Sequence, residues 1–460
     1  MIDWKHTFNA FYNGETDDTF LPSGDKYLSS YNIDPSSNPR YLQLSERLIT
    51  TNTLTTTADI TDVLILPGNA NVLTGFGSVF YNGADVSATI GWVWYAFAHY
   101  LWNSAWLMKV YVFDWSSVYR MDSTLATKEL STPHATGTVT AVCQATNTIV
   151  FAVWSVLYQV NNAGWISTVL STLPYGINVK KLYFYNDVLY IFTQDWPDAK
   201  IYQARYNGSS YDILYWHTKE DISIYDMCGT GGKMYWVSNL WLYQTDWVDS
   251  KLIKRNLFTS TSRCSIFQDN FVYIINGGDV YRYGTSLPSF PNPFVKLHTH
   301  ISGLSAVNGS IIVESRSGGG TVKTLSFGWK ATTGEIVTMP YDAWILWADK
   351  NLEVLCFPYE LNLWNTGASI QVQIQTNLME LNNTATYVNL KTLNTLTNSV
   401  STCRIDKQEI LTALGANVPE FTYFRLKIIL NRSTSTEYSP KVYQDIYIAG
   451  SWVNDIKKIW

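Results

Sequence analysis

The chain has 460 residues, too many for one small domain and enough to bury more than one core. Its 37 acidic residues outnumber 32 Lys and Arg, giving a net charge of −5. The basic excess with which nucleic-acid binders neutralise phosphates is therefore missing, and no sequence-specific nucleic-acid binding is expected.

In chain order, residues 1–62 have little periodicity and are rich in Asn, Ser, Thr, Asp and Pro. They read as an extended N-terminal arm that docks on a neighbouring subunit, with Asn32, Asp34, Pro35, Arg40, Tyr41 and Leu42 as the docking residues. Met1 to His6 lacks the apolar core of a signal peptide. Val86 to Met108 carries no Asp, Glu, Lys or Arg and has the length of a membrane span. Yet Ile90 to Tyr95 and Leu107 to Phe113 flank a polar Asn103-Ser104 turn, so the segment reads as a buried hairpin and no stable membrane insertion is expected.

From here a phrase recurs: an aliphatic residue, a tyrosine, then Arg or Gln. Its tyrosines are Tyr119, Tyr158, Tyr202, Tyr243 and Tyr281, spaced by 39, 44, 41 and 38 residues, and a degraded copy follows at Thr324-Leu325-Ser326. Each phrase follows a short β-rich run, and each run follows a turn pair such as Thr146-Asn147, Asn186-Asp187 or Asn308-Gly309 that tolerates positive φ. An earlier and a later run complete four strands per period. That is the blade of a β-propeller, and the spacing is too short for stacked sandwich domains. The reading is an all-β chain with a six- or seven-bladed propeller over 63–348, in which Val72 to Tyr81 supplies the closing strand and Glu335 to Met339 an outer strand. The repeated tyrosines are expected to pack between blades.

After Trp347 the rhythm changes. Six further strands, from Leu352 to Ile448, read as a β-sandwich of jelly-roll type over 349–460.

Two stretches carry a family resemblance. Phe424 to Leu430, followed by a polar loop and Ser439-Pro440-Lys441-Val442-Tyr443-Gln444-Asp445-Ile446-Tyr447-Ile448, resembles the closing hairpin of jelly-roll domains in bacteriophage tail proteins. Asn32 to Leu44, with Asp34-Pro35 and Asn38-Pro39-Arg40-Tyr41-Leu42, is similar to the opening of phage tail propeller proteins. The resemblance implies a tail nozzle, adaptor or minor tail protein: a virion component made in the host cytoplasm. Its partners would be other tail or portal-adaptor proteins. It would form a homo-oligomer, a hexameric ring in preference to a trimer, around the DNA channel.

Catalytic constellations are weak. No hydrolase elbow, zinc-protease helix motif or phosphate loop occurs. His298-Thr299-His300 has no third ligand, the five cysteines have no paired spacing, and no metal, cofactor or catalytic residue is expected. Two alternatives remain open. A carbohydrate-binding propeller or receptor-contacting fibre would stack sugars on Trp196, Trp241 or Trp247. A glycosidase would use Asp226 and a second acid, with Arg263 on an inner strand.

Overall fold

The computed structural model describes residues 2, 4–8, 27–33, 35, 38, 40–56, 60–75, 77–91, 97–102, 105–170, 173, 177–195, 197–230, 233–239, 241–246, 249–255, 258–267, 271–284, 294–299, 304–308, 311–314, 320–341, 349–362, 366–377, 379, 386–397, 399–415, 421–433 and 438–453. Two compact units divide them: 50–280 with 300–326, and 1–49 with 281–299 and 327–460.

Among the described residues seven four-stranded antiparallel sheets form the blades of a propeller, and the fold is all-β. Blades 1 to 6 cover 60–85, 97–133, 139–170, 178–219, 224–255 and 263–299, each a run of sequential strands. Blade 7 combines Leu304–Asn308, Ile311–Glu314 and Gly320–Lys330 with an outer strand from far upstream, Glu46–Thr56. Thr51 Oγ1 donates to the Thr324 carbonyl at 3.0 Å across that last pairing. The first strand of each blade lies beside the first strand of the next, and Leu304–Asn308 returns to Ile60–Ile65, which closes the ring. Two-residue turns make this possible. Asn186 and Asp187 both hold positive φ (49° and 62°), the backbone that a tight hairpin between right-twisted strands requires.

Three expectations change here. Asn71–Gly75 and Ser78–Tyr81 are the middle strands of a complete blade of their own, so Val72 to Tyr81 does not close the ring. Thr333–Thr338 belongs to the sandwich, between Tyr27–Tyr31 and Phe424–Asn431, and is not the outer strand of a blade. The hairpin read in the uncharged segment has Phe97–Trp102 as its first strand, paired with Met108–Phe113, whereas Ile90, read as the start of that strand, ends the helical turn Ser87–Ile90 and 92–95 lie outside the described residues. Among the described residues no helix is long and apolar enough to cross a membrane.

The second unit holds a two-sheet sandwich. One sheet orders Trp4–Phe8, Ile446–Trp452, Lys350–Glu360, Lys441–Tyr443 and Tyr41–Leu42, with Ser401–Asp406 also paired to Lys350–Glu360. The other orders Tyr27–Tyr31, Thr333–Thr338, Phe424–Asn431, Ser369–Thr376 and Val388–Leu393. Alternation in Phe424–Asn431 puts Phe424, Leu426, Ile428 and Leu430 into the core, where they meet Phe8, Leu42, Phe357, Ile370 and Ile446. Residues 1–62 are thus not a free arm. Their strands complete both sandwich sheets and two blades, because backbone donors at each sheet edge need partners that nearby sequence does not supply.

A helix the strand reading missed, Lys407–Leu414, follows Ser401–Asp406. Asp406 caps it by accepting from the Glu409 N–H, while Glu409 reaches back to the Asp406 N–H.

Candidate functional site

The axis of the propeller is where the chemistry-bearing side chains converge. In five blades the pairing of first and second strands slips at the same place: between Ile60 and Asp62, Val139 and Ala141, Val179 and Lys181, Ile224 and Asp226, and Leu304 and Ala306. Each slip is a bulge with one extra residue, which twists the strand and re-aims its side chains. All seven first strands contribute to a cavity of about 300 Å³, through Asp62, Phe97, Thr140, Lys181, Asp226, Arg263 and Asn308 among others.

Its charges are mixed, with Lys180, Lys181 and Arg263 lining it beside Asp62 and Asp226. Asp226 is buried, with Oδ1 2.7 Å from Lys181 Nζ and Oδ2 accepting the Cys264 N–H at 3.0 Å. One carboxylate therefore ties blades 4, 5 and 6 together, and both its oxygens are engaged. Burial would lower the affinity of Lys181 for its proton, but Asp226 and Asp62 outweigh it and hold the ammonium above its ordinary range. Asp62 shows the opposite balance. Burial pushes its carboxyl up, helped by Asp226 and opposed by Lys181, the Val63 N–H and Arg263. Arg263 Nη1 is held by the Ser260 and Ser262 carbonyls at 3.1 and 2.9 Å. Asn308 Nδ2 donates to the Val63 carbonyl at 2.8 Å, latching blade 7 to blade 1.

Asp226 and Arg263, weighed in the sequence as glycosidase residues, do meet here. Asp62 is the acid that sequence reasoning missed, because it falls at the boundary drawn for the arm. A bulge is a fact of pairing, and no residue type announces it.

The other candidates fall elsewhere. Tyr119, Tyr158, Tyr202 and Tyr243 each stand on a third strand opposite an apolar second-strand residue, namely Val112, Phe151, Ile191 and Trp236. Each packs in a cluster its blade shares with the preceding blade. Tyr243 stacks on Trp236 with centroids 4.0 Å apart, and burial pushes its phenol up to about 12. Tyr281 has the Lys296 ammonium 5.9 Å from its ring.

The residues expected to dock a second subunit are largely used within the chain. Asn32, Pro35 and Leu42 are buried, Asn32 Nδ2 donates to the Thr333 carbonyl at 3.1 Å, and the Tyr41 ring meets Tyr443 edge-on at 5.8 Å. Arg40 is exposed, and Asp34 lies outside the described residues. Their polar and aromatic character serves contacts within the sandwich. Trp196 and Trp247 lie outside the described residues, as does His300; Trp241 and His298 are on strands whose side chains there are not described.

Among the described residues no group of three His, Cys, Asp or Glu side chains is placed to hold a metal. All five cysteines are free thiols, and burial pushes Cys143 well above the usual range. Burial also lowers His99 to about 4, which leaves a neutral imidazole whose Nδ1 accepts the Tyr100 N–H at 2.9 Å.

No family model and no curated protein matches the chain. Solved structures similar to it include the β-propeller domain of Cps50 (Swd1) from Myceliophteria thermophila, at 9% identity over 61% of this chain and 100% of that one, TM-score 0.45. A chain of the mitotic checkpoint complex is 10% identical over 63% and 93%, TM-score 0.44. The computationally designed Ika8 protein is 13% identical over 60% and 99%, TM-score 0.40. The propeller assignment rests on the seven sheets and the closed ring of first strands.

Proposed function

We propose that the protein is a structural component of a bacteriophage tail, a nozzle- or adaptor-like subunit that works through assembly with copies of itself and with tail or portal-adaptor proteins. One observation carries the reading. The two stretches that resemble phage tail proteins are far apart in sequence yet interlock in the same sandwich. Tyr41–Leu42 pairs with Val442 and Tyr443, the Leu44 N–H donates to Ser439 Oγ at 2.8 Å, and the Gln444 N–H donates to the Arg40 carbonyl at 3.0 Å. Gln444 Nε2 reaches the Asn38 carbonyl at 3.3 Å. Segments that resemble one family and serve one hydrogen-bonded seam support a shared origin better than either stretch alone.

The net negative charge of the chain suits a component that lies near DNA without retaining it. A ring of six around a DNA channel is the favoured assembly. The test is quantitative mass spectrometry of purified particles, calibrated against the portal protein. Half as many copies as portal subunits supports the sixfold ring, and a quarter as many supports a trimeric fibre. Absence from particles overturns the reading.

A further inference from the structure

Sequential strands in a blade reverse at alternate ends, so first-to-second and third-to-fourth turns emerge at one end of the propeller. At that end, blades 3 and 4 leave a cleft of about 650 Å³. Its walls are the turn 145–148 and Gln159 from blade 3, with Phe184, Asp187, Arg205, Tyr206 and Tyr211 from blade 4. Tyr211 is buried, and Tyr206, 39% exposed, stands over it with ring centroids 5.3 Å apart.

The Tyr206 ring is held in place in advance. Its hydroxyl donates to the Gly208 carbonyl at 2.8 Å. The turn beyond it is fixed by Asn207, whose Oδ1 accepts the Ser209 and Ser210 N–H groups at 3.0 and 2.9 Å and whose Nδ2 donates to the Asp212 carboxylate. A rigid aromatic platform loses little entropy on binding. Around it Asn147, Asp187 and Arg205 are exposed and make no side-chain hydrogen bond or ion pair among the described residues. The cleft thus offers a ring face together with exposed side-chain donors and acceptors.

That combination selects a ligand class. An aliphatic ligand would bury these polar groups unpaired, at a cost of about 1–3 kcal/mol each. A phosphorylated or sulfated ligand would need an excess of cations, and Arg205 is matched by Asp187. A neutral sugar satisfies both demands, with a C–H-bearing face for the tyrosine and hydroxyls that donate and accept.

A second observation points the same way. Trp165, 73% exposed, sits in the third-to-fourth turn of blade 3, and Trp106, 83% exposed, in the first-to-second turn of blade 2, both at this end. The Trp165 turn is braced: Asn161 Oδ1 accepts the Ala163 and Trp165 N–H groups at 3.0 Å, and Arg120 Nη1 donates to the Ala163 carbonyl at 2.8 Å. The Trp165 indole, held in water on a fixed turn, is a further platform for a longer chain.

We propose that the cleft between blades 3 and 4 binds a neutral oligosaccharide, with Tyr206 stacking on a sugar ring and Asn147, Asp187 and Arg205 bonding its hydroxyls. The site stands independently of the tail reading, since it is tested on the purified protein. The experiment is an array of neutral, uronate-bearing and sulfated oligosaccharides probed with the full chain, then calorimetric titration of the strongest neutral ligand. Binding to a neutral glycan is expected, weakened about tenfold or more by Tyr206→Ala and retained by Tyr206→Phe, with the melting temperatures of all three proteins alike. No binding to the neutral set, binding confined to anionic glycans, or full affinity in Tyr206→Ala would each overturn the proposal.

Discussion

The propeller and the sandwich are both all-β, yet they are assembled by opposite rules. Six blades are closed locally, each from four consecutive strands, and apolar clusters are shared between neighbouring blades. The sandwich has one large core, and its sheets join the ends of the sequence: Trp4 pairs with Gly450, and Tyr41 with Tyr443. A repeated local unit distributes stability among many small contacts. A non-local sheet concentrates it in a few pairings that must all be present.

The sharpest break of that comparison is removal of residues 1–45, which deletes three sandwich strands and the buried Trp4, Phe8, Tyr27 and Leu42. The loss is on the order of 8 kcal/mol of apolar burial, comparable to the whole stability of a domain. Hydrogen exchange should show protection lost throughout Lys350–Glu360 and Phe424–Asn431. Full protection there would mean that the N-terminal strands are accessory.

In the propeller the largest single change is Trp236→Ala, which empties a fully buried site, unstacks Tyr243 and removes the 2.8 Å bond that Trp236 Nε1 donates to Thr245 Oγ1. A loss of about 4 kcal/mol is expected in urea unfolding, with exchange rising first in blades 4 and 5. An even loss of protection around all seven blades would contradict the picture of distributed clusters.

Asp226→Ala should cost about 2 kcal/mol, since it leaves Lys181 without its partner and the Cys264 N–H without an acceptor. An unchanged urea midpoint would show that the channel charges do not tie the blades together.

The smallest effect is the most diagnostic. Asp62 has a folded-state pKa above its unfolded value, so it binds its proton more tightly in the folded protein. Its contribution is therefore fully present below the unfolded value near 3.8 and is lost as pH rises through the folded one. Asp62→Asn should raise the melting temperature by a few degrees at neutral pH, on the order of 1 kcal/mol, and change nothing near pH 3. A destabilised variant at neutral pH would mean that the attraction to Lys181 and Arg263 outweighs burial.

Legibility in the sequence followed the same division. The tyrosine phrase was readable because blades 2 to 5 place it on the third strand, where one neighbour on the second strand demands an apolar ring. Blade 1 escaped because its third strand reads Val79-Phe80-Tyr81, out of phase with the phrase, and its fourth strand is only Ala84–Asp85. Glu335 to Met339 was placed in the propeller because it comes next in sequence; its partners, Tyr27–Tyr31 and Phe424–Asn431, are distant along the chain in both directions. Those pairings leave no local trace. The helix at Lys407–Leu414 did leave one, in Asp406 and Glu409 flanking its first turn. At the axis, Asp226 and Arg263 could be suspected from their strands, whereas Asp62 and the bulges that aim them could not. The rim cleft depends on two blades meeting, and its tyrosines look from sequence like any other strand aromatics.

The outer strand of blade 7 has a consequence for how the protein is made. During synthesis Thr51 leaves the ribosome 273 residues before Thr324, the partner it bonds in the finished ring. At ordinary elongation rates that is an interval of tens of seconds, with a ready-made edge strand waiting in water. Glu46–Thr56 reads Glu-Arg-Leu-Ile-Thr-Thr-Asn-Thr-Leu-Thr-Thr. Threonine supplies the stiffness a strand needs without the apolar surface that would recruit other nascent chains.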